Sequence, residues 1–563
     1  MDELKGWLGT VRMAGPVIGE LAFSRAQKRI EKWKELYQGL STPTSISAAE
    51  EGRSAAAYVD LVEMERDDAA TIINNERVSV DFTSLLRAVH LFDLMNRRSE
   101  IQSSFAEYRR AQAKLIFDLP LKDHQTFSVF LQNVCGFFII EYFLVRRPQK
   151  FYSPAHVEGL WESAIRMINN YVLDSLSGAN SDQGFFMKIK WLIVFFLHSI
   201  EVYALYSIAS VFDTVLSLFY RYVEMAKAEH INLIQRSAET TQLRPLSVGN
   251  STTAQRIQRN FAFLSNVAIE DVFPFSKFVI DVFEALSEFI NNFYVFLEGV
   301  PQQSSELDEI AKKSCEAIME QAIRFYLERM GETSFEEAIQ LIKDLRCLEE
   351  ICVDVARLLT LKRSRTKSDP VVLNVKEKLM EAIHEAEAYL FGLVNGEVDS
   401  IFAKYKYDYY PAVAPLTAST LFTEVGKYYR HCVEKIASSL PPDTTKQLKF
   451  SIFTHLSTHI SNILHDPNVT ALNMNFVQGF NMDLQTITEL ARNEDPMLLE
   501  TFSDTRELVE LMMSEHVHEY LDPVVRNRKY LNLRSGDIIP VLEKIKDPPA
   551  KRRNFEDMIL LLR

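Results

Sequence analysis

Apolar residues recur at spacings of three and four along nearly the whole chain, in segments of about 15–30 residues separated by short breaks that carry Pro, Gly, Ser or Asp. Leu85, Val89 and Phe92 make one such stripe. Phe278, Val282, Ala285, Phe289, Phe293 and Phe296 make a longer one, and Ile310, Cys315, Ile318, Ala322 and Phe325 a third. This is the period of helices that bury one face, and it predicts an all-α protein of about eighteen helices with no strand pair. Helix starts are legible too. Ser153-Pro154 and Asp495-Pro496 set a side-chain acceptor before a proline at the first helical position, and Ser334 followed by Glu337 has the spacing of a capping box.

The periodicity fails between Gln235 and Asn260, where the chain is polar and rich in Ser and Thr, so a long mobile loop is expected there. Shorter breaks fall at Lys362 to Pro370 and Tyr409 to Leu416. The resulting organisation is N-terminal helices over 1–78, a bundle over 79–240, a mobile loop over 241–265, a bundle over 266–400 and a C-terminal bundle over 401–563. No tetratricopeptide, ankyrin or HEAT period recurs, which argues against a regular solenoid.

Composition agrees with long helices and few corners. The 563 residues include only 18 Gly and 19 Pro, with 47% hydrophobic and 25% charged side chains. The formal charge of −14 has the wrong sign for a general nucleic-acid binder. Cys135, Cys315, Cys347, Cys352 and Cys432 contain no CxxC pair, so neither a disulfide framework nor a thiolate zinc site is expected, and a reducing intracellular compartment fits. The N-terminus lacks a signal pattern. The most membrane-like stretch, Trp191 to Val223, is interrupted by His198, Glu201, Asp213 and Arg221 and is expected to form buried core helices rather than a span.

Catalytic signatures are scarce. No phosphate-cradling loop, dinucleotide fingerprint or nucleophile elbow can be written onto these glycines. His455 and His459 lie four apart on one helix face, with His465 beyond, but no third ligand stands at a diagnostic distance. They are expected to be surface or hydrogen-bonded histidines, with no metal or cofactor. Asp67-Asp68 is the only contender for a magnesium-binding helix face of the terpene-synthase type, and Asn75 stands where its next acid is needed. Short basic clusters at Arg97-Arg98, Arg109-Arg110, Arg146-Arg147, Lys362 to Lys367 and Lys551 to Arg553 read as solvated surface.

The order of particular segments is more telling than their chemistry. Val80-Asp81-Phe82, the run 85–115, GFFIIEYFL at 136–144 and Val157 to Glu162 are followed by Phe273 to Val279, Glu306 to Glu309, His455 to Thr458, Val477 to Asp483, Lys529-Tyr530-Leu531 and Leu542 to Asp547. In this order the segments resemble the exocyst subunit Sec-fifteen, over roughly residues 75 to 547. The family's long N-terminal coiled-coil region has no counterpart, so the chain resembles the C-terminal two-thirds of such a subunit. The resemblance implies an elongated rod of helical bundles without catalytic activity. It also implies binding to a GTP-loaded Rab GTPase on secretory vesicles and pairing with other exocyst subunits, Sec-ten above all. The membrane is then met indirectly, at exocytic sites of the plasma membrane.

One helix can be read further. Over Ala471 to Arg492, residues Leu472, Phe476, Phe480, Leu484, Ile487 and Ala491 share a core stripe. Met474, Val477, Gln478, Asn481, Gln485 and Thr488 fall on a second face without charge. Such a face either packs against a neighbouring helix or meets a partner, because charge is depleted at interface cores. The resemblance favours a partner, since the family's Rab recognition is attributed to C-terminal helices, and Asn481 is then the first expected contact, flanked by Val477 and Gln485. The competing readings are a generic helical scaffold that binds no GTPase and an all-α magnesium enzyme that depends on Asp67 and Asp68.

Overall fold

A computed structural model of the chain describes residues 2–39, 69–147, 152–177, 182–248, 272–298, 305–362 and 370–563. Asp67 and Asp68, residues 249–265 of the expected mobile loop and residues 363–369 of the basic loop lie outside them. Among the described residues are nineteen α-helices. In chain order these are α1 (Asp2–Gly39), α2 (Ala69–Ile73), α3 (Thr83–Leu94), α4 (Arg98–Phe117), α5 (His124–Val145), α6 (Pro154–Ser177), α7 (Gln183–Tyr203), α8 (Ala209–Thr240), α9 (Lys277–Leu297) and α10 (Ser305–Met330). They continue with α11 (Phe335–Lys362), α12 (Val375–Lys404), α13 (Thr420–Ala437), α14 (Pro442–His465), α15 (Met474–Glu494), α16 (Ser503–Met513), α17 (Pro523–Lys529), α18 (Ser535–Leu542) and α19 (Pro549–Leu562). The all-α expectation holds. The expected absence of strand pairs does not: Leu246–Ser247 (β1) pairs antiparallel with Val272–Phe273 (β2), and Leu472–Asn473 (β3) pairs in parallel with Ile545–Asp547 (β4). Strands of two or three residues leave no readable alternation in a sequence.

The chain forms two compact units, Met1–Asn232 with Leu286–Cys315 and Leu361–Asp369, and Leu233–Ala285 with Glu316–Thr360 and Pro370–Arg563. In the first unit α5 is the central helix. Asp123 caps it in a reciprocal box, accepting from the Thr126 amide at 2.8 Å while the Thr126 hydroxyl accepts from the Asp123 amide at 3.0 Å. Its length and composition would suffice to cross a membrane, yet most of its apolar stretch is buried inside the unit. The stretch that looked most membrane-like in the sequence, Trp191 to Val223, is broken between α7 and α8, where Leu205 takes a positive φ of 48°.

The close approach of α1 and α5 rests on glycines. A side chain at Gly19 would run into the backbone of Gln132, and one at Gly136 into the carbonyl of Gly15. Beside this crossing the expected surface pair Arg109-Arg110 divides. Arg110 stays exposed, whereas Arg109 is 1% exposed and joins Glu141, 0% exposed, at 2.5 Å. The Arg109 guanidinium also lies over the Phe137 ring and donates to Gln112, whose amide in turn donates to the Leu8 carbonyl at 2.8 Å.

In the second unit the Phe273 to Val279 segment is held by one carboxylate. Asp344, fully buried, accepts from the Ser276 amide at 2.8 Å, the Gln340 side chain at 2.8 Å and the Tyr326 hydroxyl at 3.0 Å. Burial pushes its carboxyl up to about 6 despite those bonds. A folded-state value above the unfolded one means that the folded chain binds the extra proton, so stability falls as pH rises from about 4 through about 6. Asp344→Asn is expected to flatten that dependence, worth about 2–3 kcal/mol, in urea denaturation followed across this pH range. A wild-type profile already flat over the same range would rule the account out. The capping box at Ser334 is present, with the Ser334 amide donating to Glu337 at 3.0 Å. Asp495 caps as expected, but Pro496 opens a 3-10 turn, Pro496–Phe502, rather than an α-helix.

Candidate functional site

The C-terminal part of the second unit builds the surface around α15. Asn473 caps this helix by accepting from the Phe476 amide at 2.9 Å, and its predecessor Leu472 is fixed in β3 by the Lys544 carbonyl at 2.6 Å. Leu472, Phe476, Phe480, Leu484, Ile487 and Ala491 are all buried, as the stripe predicted.

The second face divides. At 100° per residue Met474, Gln478, Asn481 and Gln485 fall within about 60° of arc, while Val477 and Thr488 lie about 20–40° further round toward the core stripe. Val477 is accordingly 0% exposed and Thr488 7% exposed, its hydroxyl donating to the Leu484 carbonyl. These two are core residues rather than contact residues. Gln478 and Gln485 are exposed, Met474 and Asn481 half-buried. The side-chain amides of Gln478, Asn481 and Gln485 have no hydrogen-bond partner among the described residues, leaving a ridge of free donors and acceptors.

The opposite flank of α15 is covered by the segment 405–419, a strap without regular structure. Asp483 anchors it, accepting from the Ser419 amide at 2.6 Å and the Tyr407 hydroxyl at 3.1 Å. Burial raises the Asp483 carboxyl above its ordinary range, partly offset by these bonds. Asn473 and Asn475 both donate to the Pro411 carbonyl, at 2.8 and 3.0 Å, and the Tyr407 and Tyr409 rings pack on Phe476. Gly479 has a steric reason: a Cβ there would stand 2.8 Å from Pro415 Cγ. The strap's turn leaves Val413 78% and Leu416 92% exposed. One flank of α15, with Asp483, thus meets the protein's own strap, and the uncharged ridge meets solvent.

A second cluster lies between α12 and α14. His455 and His459 sit one turn apart, and both direct Nε2 at Oδ1 of Asp399, at 2.6 and 2.5 Å, with the two nitrogens 3.2 Å from each other. The His459 ring stacks on Phe402, centroids 4.8 Å apart. Partial burial opposes ionisation of Asp399, but the bonds from the two histidines outweigh it and hold the carboxyl below the usual range. A cavity of about 730 Å³ opens beside the cluster, lined by Asp399, Phe402, His459, Tyr405 and Tyr407 among others. His465 takes no part, because its ring bonds to the Ser461 and Asp537 carbonyls. The third side chain beside the histidine pair is therefore Asp399, 56 residues before His455. Sequence spacing could not find it, because two helices bring it there.

Comparison with known proteins agrees on one family. The family described as "Exocyst complex subunit Sec15 C-terminal" matches residues 210–544. Exocyst complex component 6B of Mus musculus is 24% identical over 602 residues, covering 99% of this chain and 72% of that protein. The Homo sapiens protein of the same name is 24% identical over 600 residues with the same coverage. A crystal structure of a Sec15 C-terminal domain aligns with a TM-score of 0.40 at 19% identity, over 54% of this chain and 99% of that one. The similarity extends before residue 75, where the sequence segments resemble the family only weakly.

Proposed function

This chain belongs to the exocyst Sec15 C-terminal family, and from that membership we propose that it is a non-enzymatic subunit which tethers secretory vesicles by binding a GTP-loaded Rab GTPase through the α15 ridge. Membership itself makes it an exocyst component that works with other exocyst subunits in exocytosis. The finer reading includes Sec-ten as a neighbouring subunit, recruitment to vesicles and exocytic plasma-membrane sites, and the C-terminal helices as the Rab-binding part.

The observation that carries the site is the ridge of Gln478, Asn481 and Gln485, three amides on one exposed stripe with no internal hydrogen bonds. Unsatisfied amides beside apolar groups suit an interface that is neutral at its centre. Met474, half-buried on the same stripe, supplies the apolar part. A Rab differs between nucleotide states in the order of its switch segments, so a surface that fits the ordered switches selects the GTP form.

Pulldown of the full chain against a panel of Rab GTPases loaded with GTP analogue or GDP tests this. Retention of one Rab in its GTP form alone is the expected result. Asn481→Ala should weaken that binding by about 1–3 kcal/mol with an unchanged melting temperature, because the side chain has no internal partner to lose. Equal retention of both nucleotide forms, or none, would favour a scaffold without GTPase binding. Full affinity in Asn481→Ala would move the site off the ridge.

A further inference from the structure

We propose that Asp399, His455 and His459 form a binding site for a zinc-class divalent transition-metal ion that ties α12 to α14 at the root of the strap. Three side chains converge from two helices, Asp399 lying 56 residues before His455, with all three donor atoms within 4.8 Å of one another. Two of them come from adjacent turns of one helix face, the spacing at which paired imidazoles reach a common ion.

With both Nε2 atoms protonated, two N–H groups share one carboxylate oxygen while standing 3.2 Å apart. With those protons released, all three atoms present lone pairs to one point, and a cation there takes the place of the two protons. A tetrahedral ion with bonds of about 2.0–2.1 Å places its donors about 3.3–3.4 Å apart. The two nitrogens already meet that separation at 3.2 Å. The carboxylate oxygen has to withdraw by somewhat less than about 1 Å, which a side-chain rotation supplies, and Asp399 is half exposed and free to make it.

Imidazole with one carboxylate suits zinc and its neighbours rather than calcium or magnesium, which take all-oxygen shells. The stacking of His459 on Phe402 fixes one ligand ring in place. Three protein ligands leave a fourth position for water, on the side of the cavity lined by Tyr405 and Tyr407. Asp399 stands just before Lys404, the last residue of α12, so the ion would pin the helix end from which the strap departs.

The test is titration of the chelator-treated chain with zinc chloride by calorimetry, with cobalt(II) absorption as a second readout. One site of micromolar affinity is expected, with the visible bands of low-coordinate cobalt and a melting temperature that rises with zinc concentration. His455→Gln and His459→Gln should each weaken binding at least about tenfold, and the double variant should remove it. His384→Gln, an exposed histidine elsewhere on α12 bonded to the Met380 carbonyl, should leave it unchanged. Absence of a binding heat in the wild type would overturn the proposal. Zinc binding that persists in the folded double variant would overturn it as well, by placing the ion elsewhere.

Discussion

Arg109→Met is expected to lower the stability of the first unit by about 3–5 kcal/mol, among the largest effects of any single change in the chain. Neither partner of the Arg109–Glu141 pair reaches solvent, and the guanidinium also holds Gln112 and covers the Phe137 ring. Methionine fills much of the volume but leaves the Glu141 carboxylate buried without its counter-charge, which is the costly half of breaking such a pair. Burial already pushes the Glu141 carboxyl up, against the pull of Arg109. Removing Arg109 strengthens that shift. A carboxyl whose folded value exceeds its unfolded one favours the folded state at low pH and loses that contribution as pH rises through the folded value. The deficit of Arg109→Met should therefore shrink as pH is lowered, and Arg109→Met combined with Glu141→Leu should recover most of it at neutral pH. Hydrogen exchange of the α5 amides under mild denaturant reads the result. A loss below about 1 kcal/mol would mean the pair is solvated and behaves as a surface ion pair.

Gly136→Ala should be of similar size, about 3 kcal/mol or more, by a different mechanism. The added methyl group points into the carbonyl of Gly15, and that atom belongs to a helix backbone that cannot rotate away as a side chain could. The only relief is separation of α1 from α5, which loosens the core from Leu8 and Val11 to Phe137 and Ile140. Gly159→Ala is the matched control, because nothing stands near its Cβ position. That variant should be neutral or slightly stabilising, since alanine is the better helix former. Equal melting temperatures for the two variants would show that α1 and α5 do not meet through backbone.

The second face of α15 was half legible. Its six residues lie within about 100° of arc, but a helical wheel has no sharp border between face and flank. Val477 and Thr488 sit at that border, and the depth of the surrounding packing put them inside. The wheel also could not say what the other flank meets. Asn473, Asn475, Gly479 and Asp483 serve a strap that starts 68 residues before Asn473, at Tyr405, and nothing local to α15 announces it. Arg109 was misread for the same reason. A basic pair in a helix looks solvated until its acid, 32 residues on, is known to face it.

What the sequence determined by itself was everything that depends on neighbours along the chain: the helices, through apolar period and scarce Gly and Pro; helix starts, through Ser334 and Asp495; the core stripe of α15; and the family, through the order of its segments. Tertiary structure decided what depends on which helices meet. It joined Asp399 to His455 and His459, buried Arg109 against Glu141, closed the strap over Gly479 and paired β3 with β4. The division is physical. Helix formation is governed by contacts three and four residues apart, which a sequence displays directly. A site between helices is set by packing of surfaces whose separation along the chain carries no periodic signal.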